Sequence, residues 1–254
     1  NQFRNDKGEP LYPQGPFLLG PMYTRGASGV LPNGKFKGKM IMLESLWDRE
    51  AFPWQADWYR TKVIENLGDK ANDSFRLWYT DRALHGDLSE QEDPTRTVSY
   101  VGTLQQALLD LSAWVEKGIS PPNSTNYQIV DGQVIVPASA EEREGIQPTV
   151  VLKANGSKKV IARTGEKVNY SAEIKVPAGT GEVVSVEWDL DGDGTFESQG
   201  QFKKEEEVTV KSKYSFAKPG TYFSVIRVAS QRNGNSKTVF TRIQNLDRVR
   251  VVVE

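Results

Sequence analysis

The chain has 254 residues, of which 37% are hydrophobic and 26% charged, enough large apolar side chain to bury a core and to exclude wholesale disorder. Lys plus Arg is 32 against 33 for Asp plus Glu, so no basic surplus exists to neutralise a phosphate backbone, and no apolar run approaches the roughly 18 to 20 residues of a membrane helix. Cysteine is absent and histidine occurs once, as His85, which removes disulfides, thiolate catalysis, cysteine metal sites and multi-histidine metal sites together.

Residues 1–35 are rich in Pro and Gly and read as a loop or lid-like wrapping segment. Lys39-Met-Ile-Met-Leu43 is a short continuous apolar run, the pattern of a strand buried on both faces of a parallel sheet. Residues 53–67 predict a helix, with Pro53 in its first turn, Trp54, Trp58, Val63 and Leu67 on one face, and Gly68 as its stop. Phe75–Tyr79 predicts a second strand. Residues 103–117 predict a second helix with Leu104, Ala107, Leu108, Leu111, Trp114 and Val115 on one face; Gly118 caps it and Pro121-Pro122 forbid its continuation. Strand, helix, strand, helix is the grammar of a parallel α/β sheet. Residues 127–136 predict a hairpin, since two β-rich runs flank Asp131-Gly132, a type I′ turn signal.

A boundary is expected in the charged stretch 138–148. Beyond it the helical period disappears. Residues 168–176, 184–188, 221–228 and 248–253 alternate apolar and polar, and Gly or Pro clusters punctuate them. About seven short strands of this kind predict an antiparallel sandwich.

Asp48 lies just past the first predicted strand and His85 just past the second. Loops that leave neighbouring parallel strands converge at one sheet edge, where ligands bind. A carboxylate on one ring nitrogen fixes the imidazole tautomer and supports the imidazolium formed during proton transfer. The pair is therefore two thirds of a hydrolase triad, in Asp-then-His order. The bland reading is a surface histidine in a polar loop. Glu44 and Asp57 are nearby carboxylates that compete as the acid. Trp47, Phe52 and Trp54 cluster around Asp48, either as an aromatic wall for a flat acyl group or as helix-to-sheet packing.

These residues resemble a known family. Gly38–Asp48 with Pro53-Trp-Gln-Ala-Asp-Trp-Tyr59 is similar to the acid-bearing strand, loop and helix of an α/β-hydrolase. Phe75-Arg-Leu-Trp-Tyr followed by His85 resembles its histidine strand, and Asp110–Pro121 approximates the closing helix of the tannase and feruloyl esterase-like branch. The resemblance covers about residues 36–122. It implies a partial α/β-hydrolase over 1–146, with a parallel sheet and flanking helices, acting on a small-molecule or glycan-linked ester without a required cofactor. It departs from that branch at Leu84-His85-Gly86, where a Gly-His-Cys sequence is common. The nucleophile elbow is also missing: Gly26-Ala-Ser28-Gly-Val30 has the wrong last position and stands too close to Asp48 to leave room for the intervening elements. The serine is therefore expected on a preceding hydrolase segment or a separate chain. The chain opens on Asn1 without Met or a signal peptide, as a mature product or a fragment would.

In the second half, Val184-Ser-Val-Glu-Trp-Asp189-Leu-Asp-Gly-Asp-Gly resembles the core of PKD-type domains, and Tyr214–Tyr222 resembles their later Tyr-x-x-Pro-Gly-x-Tyr element with one extra residue. The resemblance implies an all-β immunoglobulin-like sandwich over 147–254 and a secreted, periplasmic or cell-surface location. Asp189, Asp191 and Asp193 fit the opening of a calcium loop, although an EF-hand would need Glu where Gly200 stands. The competing reading is a tight Asp-Gly turn whose carboxylates bind backbone amides. Sequons occur at Asn72, Asn123, Asn155 and Asn169. Two function classes stand at this stage. One is a serine-type ester hydrolase to which this chain contributes Asp48 and His85; the other is a non-enzymatic extracellular adhesion or carbohydrate-binding protein. A metal-dependent hydrolase is disfavoured by the single histidine.

Overall fold

The apolar run after Gly38 forms strand β1 (Met40–Ser45) and the second run forms β2 (Phe75–Thr80). They pair in parallel, Met40 opposite Phe75 and Ser45 opposite Thr80. The computed structural model carrying these elements describes residues 4–12, 22–23, 25–26, 32–87, 91–198 and 202–254. Most of the predicted lid-like segment, Ser28 included, lies outside the described residues.

Helix α1 (Trp54–Leu67) follows Pro53 and ends at Gly68, and a 3-10 turn over Gly68–Asp73 leads into β2. Helix α2 (Val101–Lys117) ends at Gly118, whose φ of 69° is the left-handed conformation that glycine adopts without penalty. Met40 and Met42 of β1 pack with α1, and Ile41 and Leu43 pack on the opposite face with Ala107 of α2. A β-strand turns alternate residues to opposite faces, so an unbroken apolar run is what a strand between two helices needs. The hairpin is β3 (Gln128–Val130) with β4 (Gln133–Ile135), and its turn residues Asp131 and Gly132 both have positive φ, 49° and 76°.

The predicted partial α/β-hydrolase, a parallel sheet with flanking helices, is not formed. Among the described residues β1 and β2 are the whole of that sheet, and most of the remaining strands pair antiparallel. The physical reason lies at the edge of β2. There the irregular segment 122–125 replaces a third strand: the Thr125 N–H donates to the Leu77 carbonyl at 2.9 Å, the Leu77 N–H to Ser124 Oγ at 3.0 Å, and the Tyr79 N–H to Thr125 Oγ1 at 3.1 Å. Order of elements is a local signal, whereas growth of a sheet depends on what occupies its edges. The apolar face predicted for α2 is also only partly correct. Ala107 and Trp114 are buried, but Leu104, Leu108 and Val115 are exposed.

A short helix α3 (Ala140–Arg143), capped by Ser139, bridges to the second half. The strands there are β5 (Thr149–Ala154), β6 (Lys159–Ala162), β7 (Lys167–Lys175), β8 (Glu182–Asp189), β9 (Glu197–Ser198), β10 (Glu207–Ser215), β11 (Gly220–Gln231) and β12 (Ile243–Val253). They form one sheet in the order β10-β7-β5 and a second in the order β6-β12-β11-β8-β9. Leu152, Tyr170 and Ile174 from the first sheet meet Trp188, Ile226 and Val251 from the second in one core, an immunoglobulin-like sandwich. The Tyr214–Tyr222 element closes one end, with the Phe216 ring 4.9 Å from Tyr214 and 4.3 Å from Tyr222 between centroids.

The two halves are stitched together by packing, by the Arg232–Asp110 ion pair at 3.0 Å and by side-chain amides, Gln147 among them. An added Cβ on Gly102 of α2 would lie 1.6 Å from the Arg242 carbonyl oxygen, so only glycine lets the helix approach the β11–β12 connection. Gln147 donates to the carbonyls of Asp81 and Gln244 at 3.0 and 2.9 Å and accepts the Asp81 N–H at 2.8 Å. This ties the loop after β2 to strand β12.

Candidate functional site

The parallel pairing of β1 and β2 continues past the strands themselves. The Leu46 N–H donates to the Thr80 carbonyl and the Trp47 N–H to the Ala83 carbonyl, each at 3.0 Å. The two exit loops therefore leave the sheet side by side, and Asp48 and His85 meet at its carboxyl end. Asp48 Oδ2 lies 2.8 Å from His85 Nδ1. Asp48 Oδ1 accepts the N–H groups of Glu50 and Ala51, each at 2.8 Å, so the carboxylate also shapes its own turn.

The electrostatics follow from this geometry. Burial works against the Asp48 charge, but the donors from Ala51, His85 and Glu50 outweigh it and hold the pKa below the ordinary carboxyl value. The hydrogen bond with Asp48, then its charge, raises the pKa of His85. The Asp48 side chain is 7% exposed and that of His85 57%, so the acid is sheltered while the ring meets solvent. Glu44, near the end of β1, has its pKa pushed up to about 7, first by burial and then by the Asp48 charge. A carboxyl half-protonated at neutral pH is a weaker partner for an imidazolium than Asp48. The other rival acid, Asp57, accepts the Tyr127 hydroxyl at 2.7 Å and anchors the hairpin root to α1.

The loop that carries His85 is held from behind by Asp87. Its Oδ2 accepts Ser99 Oγ at 2.6 Å, the Tyr100 N–H at 2.7 Å and the Val101 N–H at 3.2 Å, and so caps α2 from a distant position in the chain. The Tyr100 hydroxyl donates to the His85 carbonyl at 3.2 Å. Sequence reasoning missed Asp87, because capping signals are sought next to a helix and this one comes from another loop.

Trp47, Phe52 and Trp54 are 37%, 50% and 47% exposed, so they form a surface around Asp48 rather than a sealed core. Arg82 lies over the Trp47 ring, 5.3 Å from its centroid. Asp48, Glu50 and His85 offer ligand atoms within 4.8 Å of one another and could hold a cation. The same spacing joins Asp189, Asp191 and Asp193 in the sandwich. Asp189 Oδ1 accepts the N–H groups of Gly192 and Asp193 at 2.7 and 3.2 Å, and Oδ2 accepts that of Gly194 at 2.9 Å. This is the Asp-Gly turn of the bland reading, and burial raises the pKa of Asp189 despite those donors. The turn closes on itself, and carboxylate oxygens of Asp191 and Asp193 lie within 4.8 Å of each other and of Asp189.

No family model and no curated protein matches the chain. Among solved structures it is similar to the CARDB domain of the PF1109 protein from Pyrococcus furiosus, crystallised with di-metal ions, at 16% identity over 43% of this chain and 89% of that one, with a TM-score of 0.30. It is also similar to the PKD domain of an M14-like peptidase from a Thermoplasmatales archaeon, at 15% identity over 43% of this chain and 98% of that one, with a TM-score of 0.31. Among the described residues no helix is long and apolar enough to cross a membrane.

Proposed function

We propose that this chain supplies the acid and the histidine of a serine-type ester hydrolase. The observation that carries the reading is the 2.8 Å bond between Asp48 Oδ2 and His85 Nδ1 where two adjacent parallel strands end. With Nδ1–H held by Asp48, the opposite ring nitrogen Nε2 keeps its lone pair. That nitrogen takes the proton of a serine as the serine attacks the ester carbonyl, then returns it to the leaving alcohol. Asp48 stays ionised throughout, which its lowered pKa favours. Water then adds to the acyl-serine with His85 again acting as base.

The serine is supplied by a further segment or a separate chain. Two features support this. The outer edge of β1 pairs with no strand among the described residues. The outer faces of α1 and α2 carry Trp54, Trp58, Leu104, Leu108 and Val115 in solvent, more apolar surface than a finished monomer usually leaves. The substrate is a small-molecule or glycan-linked ester, with Trp47, Phe52 and Trp54 against it. The PKD-like half serves as an extracellular module, in which Asp189, Asp191 and Asp193 bind a structural calcium.

A fluorophosphonate probe applied to the native particle tests the reading. Labelling of a serine that disappears with His85→Ala supports it. A native particle that never labels leaves the adhesion or carbohydrate-binding class instead.

A further inference from the structure

The β3–β4 hairpin takes no part in the dyad, yet it borders two cavities that both reach Asp48, although His85 lines neither. A cavity of about 490 Å³ sits between its tip and the aromatic loop, lined by Phe52, Pro53, Trp54 and Val134. A second, of about 860 Å³, sits on the other side, lined by Trp47, Leu84, Arg96 and Val136. Five residues line both: Leu46, Asp48, Arg49, Gln133 and Val134. Gln133 and Val134 together with the dyad's acid thus lie at the boundary where the two cavities adjoin.

The hairpin is anchored at this boundary by its root. At the hairpin root the Tyr127 hydroxyl is bonded to Asp57, and its ring meets the Tyr79 ring edge-on at 5.0 Å. Val134 and Val136 pack into the same cluster as α1 and β2. The two cavities also differ in chemistry. Apart from Asp48 and Arg49, which both share, no charged side chain among the described residues lines the smaller; the larger adds Asp81, Glu92, Asp93 and Arg96. Both volumes fall in the range of small-molecule sites, roughly 300–1,000 Å³.

We propose that the hairpin is the specificity wall of this site, with Val134 setting the size of the apolar group that fits beside Asp48 and Gln133 facing the polar remainder of the ligand. The inference rests on the hydrolase reading for the reaction, but the binding it describes needs neither the serine nor His85. An apolar ring enters the smaller cavity against Phe52 and Trp54. A larger ring is refused because the Val134 side chain stands in its way.

The test uses ligand-observed NMR on the full chain, with methyl benzoate as the small probe and methyl 2-naphthoate as the large one. Wild type binds methyl benzoate in preference to methyl 2-naphthoate. Val134→Trp narrows the cavity and weakens methyl benzoate binding by roughly ten-fold or more, the scale of a pocket misfit of one methylene or more. Val134→Ala reverses the preference, which a misfolded hairpin would not do. His85→Ala leaves methyl benzoate binding in place, so loss of fluorophosphonate labelling and loss of probe binding report on separate claims. The proposal is overturned if both Val134 variants keep the wild-type affinities within about two-fold, or if wild type does not distinguish the two probes.

Discussion

The sandwich and the region before it spend their apolar residues differently. In the sandwich, nineteen buried residues from both sheets form a single core. Among the described residues of the first region, the two clusters around β1 and β2 hold only six and three buried residues, the second completed by Ile243 of β12, while Trp54, Trp58, Leu104 and Leu108 stay in solvent. A sandwich closes because each sheet covers the other. A two-stranded parallel sheet has no such complement and leans on whatever lies beside it. The acid, the imidazole and the two cavities all belong to the less closed region.

The largest expected effect separates the regions by function. Asp48→Asn and His85→Ala each lower the rate of fluorophosphonate labelling or ester turnover by about 10³–10⁴-fold while far-UV circular dichroism stays unchanged. A loss of only a few-fold would detach the dyad from the chemistry. Next comes the sandwich core: Leu152→Ala, at a fully buried position, costs about 2–5 kcal/mol in urea unfolding. Gly102→Ala acts on the seam between the regions. The Cβ overlap with the Arg242 carbonyl costs about 1–3 kcal/mol, and it separates the first region's transition from that of the sandwich. A single unshifted transition would mean that the seam is unimportant.

A smaller effect is read at the single histidine, whose two ring C–H resonances titrate together in proton NMR. Its pKa lies above the ordinary value of 6.5, and Asp48→Asn brings it down. On the proposed mechanism the base is neutral His85, so the rate is expected to rise with pH through that raised value. The stability contributions run the other way. The His85 contribution is complete below the ordinary histidine pKa and is lost as pH rises through the raised one. The Asp48 contribution is complete above the ordinary carboxyl pKa and is lost as pH falls through the lowered one. The smallest expected change is a rise of a few degrees in the sandwich melting temperature on adding millimolar calcium, abolished by Asp191→Asn. No response to calcium would leave the Asp-Gly turn as the whole role of that loop.

Much of the local structure was readable before any coordinates. The unbroken run Met40–Leu43 announced a strand covered on both faces, Asp131-Gly132 a hairpin, and Gly118 a helix end. Alternation in residues 168–176 announced a strand with one buried face, and β7 spans 167–175 with that alternation. What misled was extrapolation from two strand–helix pairs to a larger parallel sheet. Nothing in the order of elements tells that residues 122–125 take the second edge of β2. The exposed side of α2 was unreadable for a similar reason: its apolar stripe is wider than the surface offered by β1 and β12.

The amino-acid order by itself determined the elements, their turns and the placing of an acid and an imidazole just beyond two strand ends, because those depend on side-chain period and backbone freedom within a few residues. The tertiary structure alone decided that these strands are neighbours, that Asp48 is sheltered and Glu44 left half-protonated, and that a distant hairpin borders the space beside them. Those outcomes depend on which surfaces meet and how much water they shut out, quantities that no stretch of sequence carries alone.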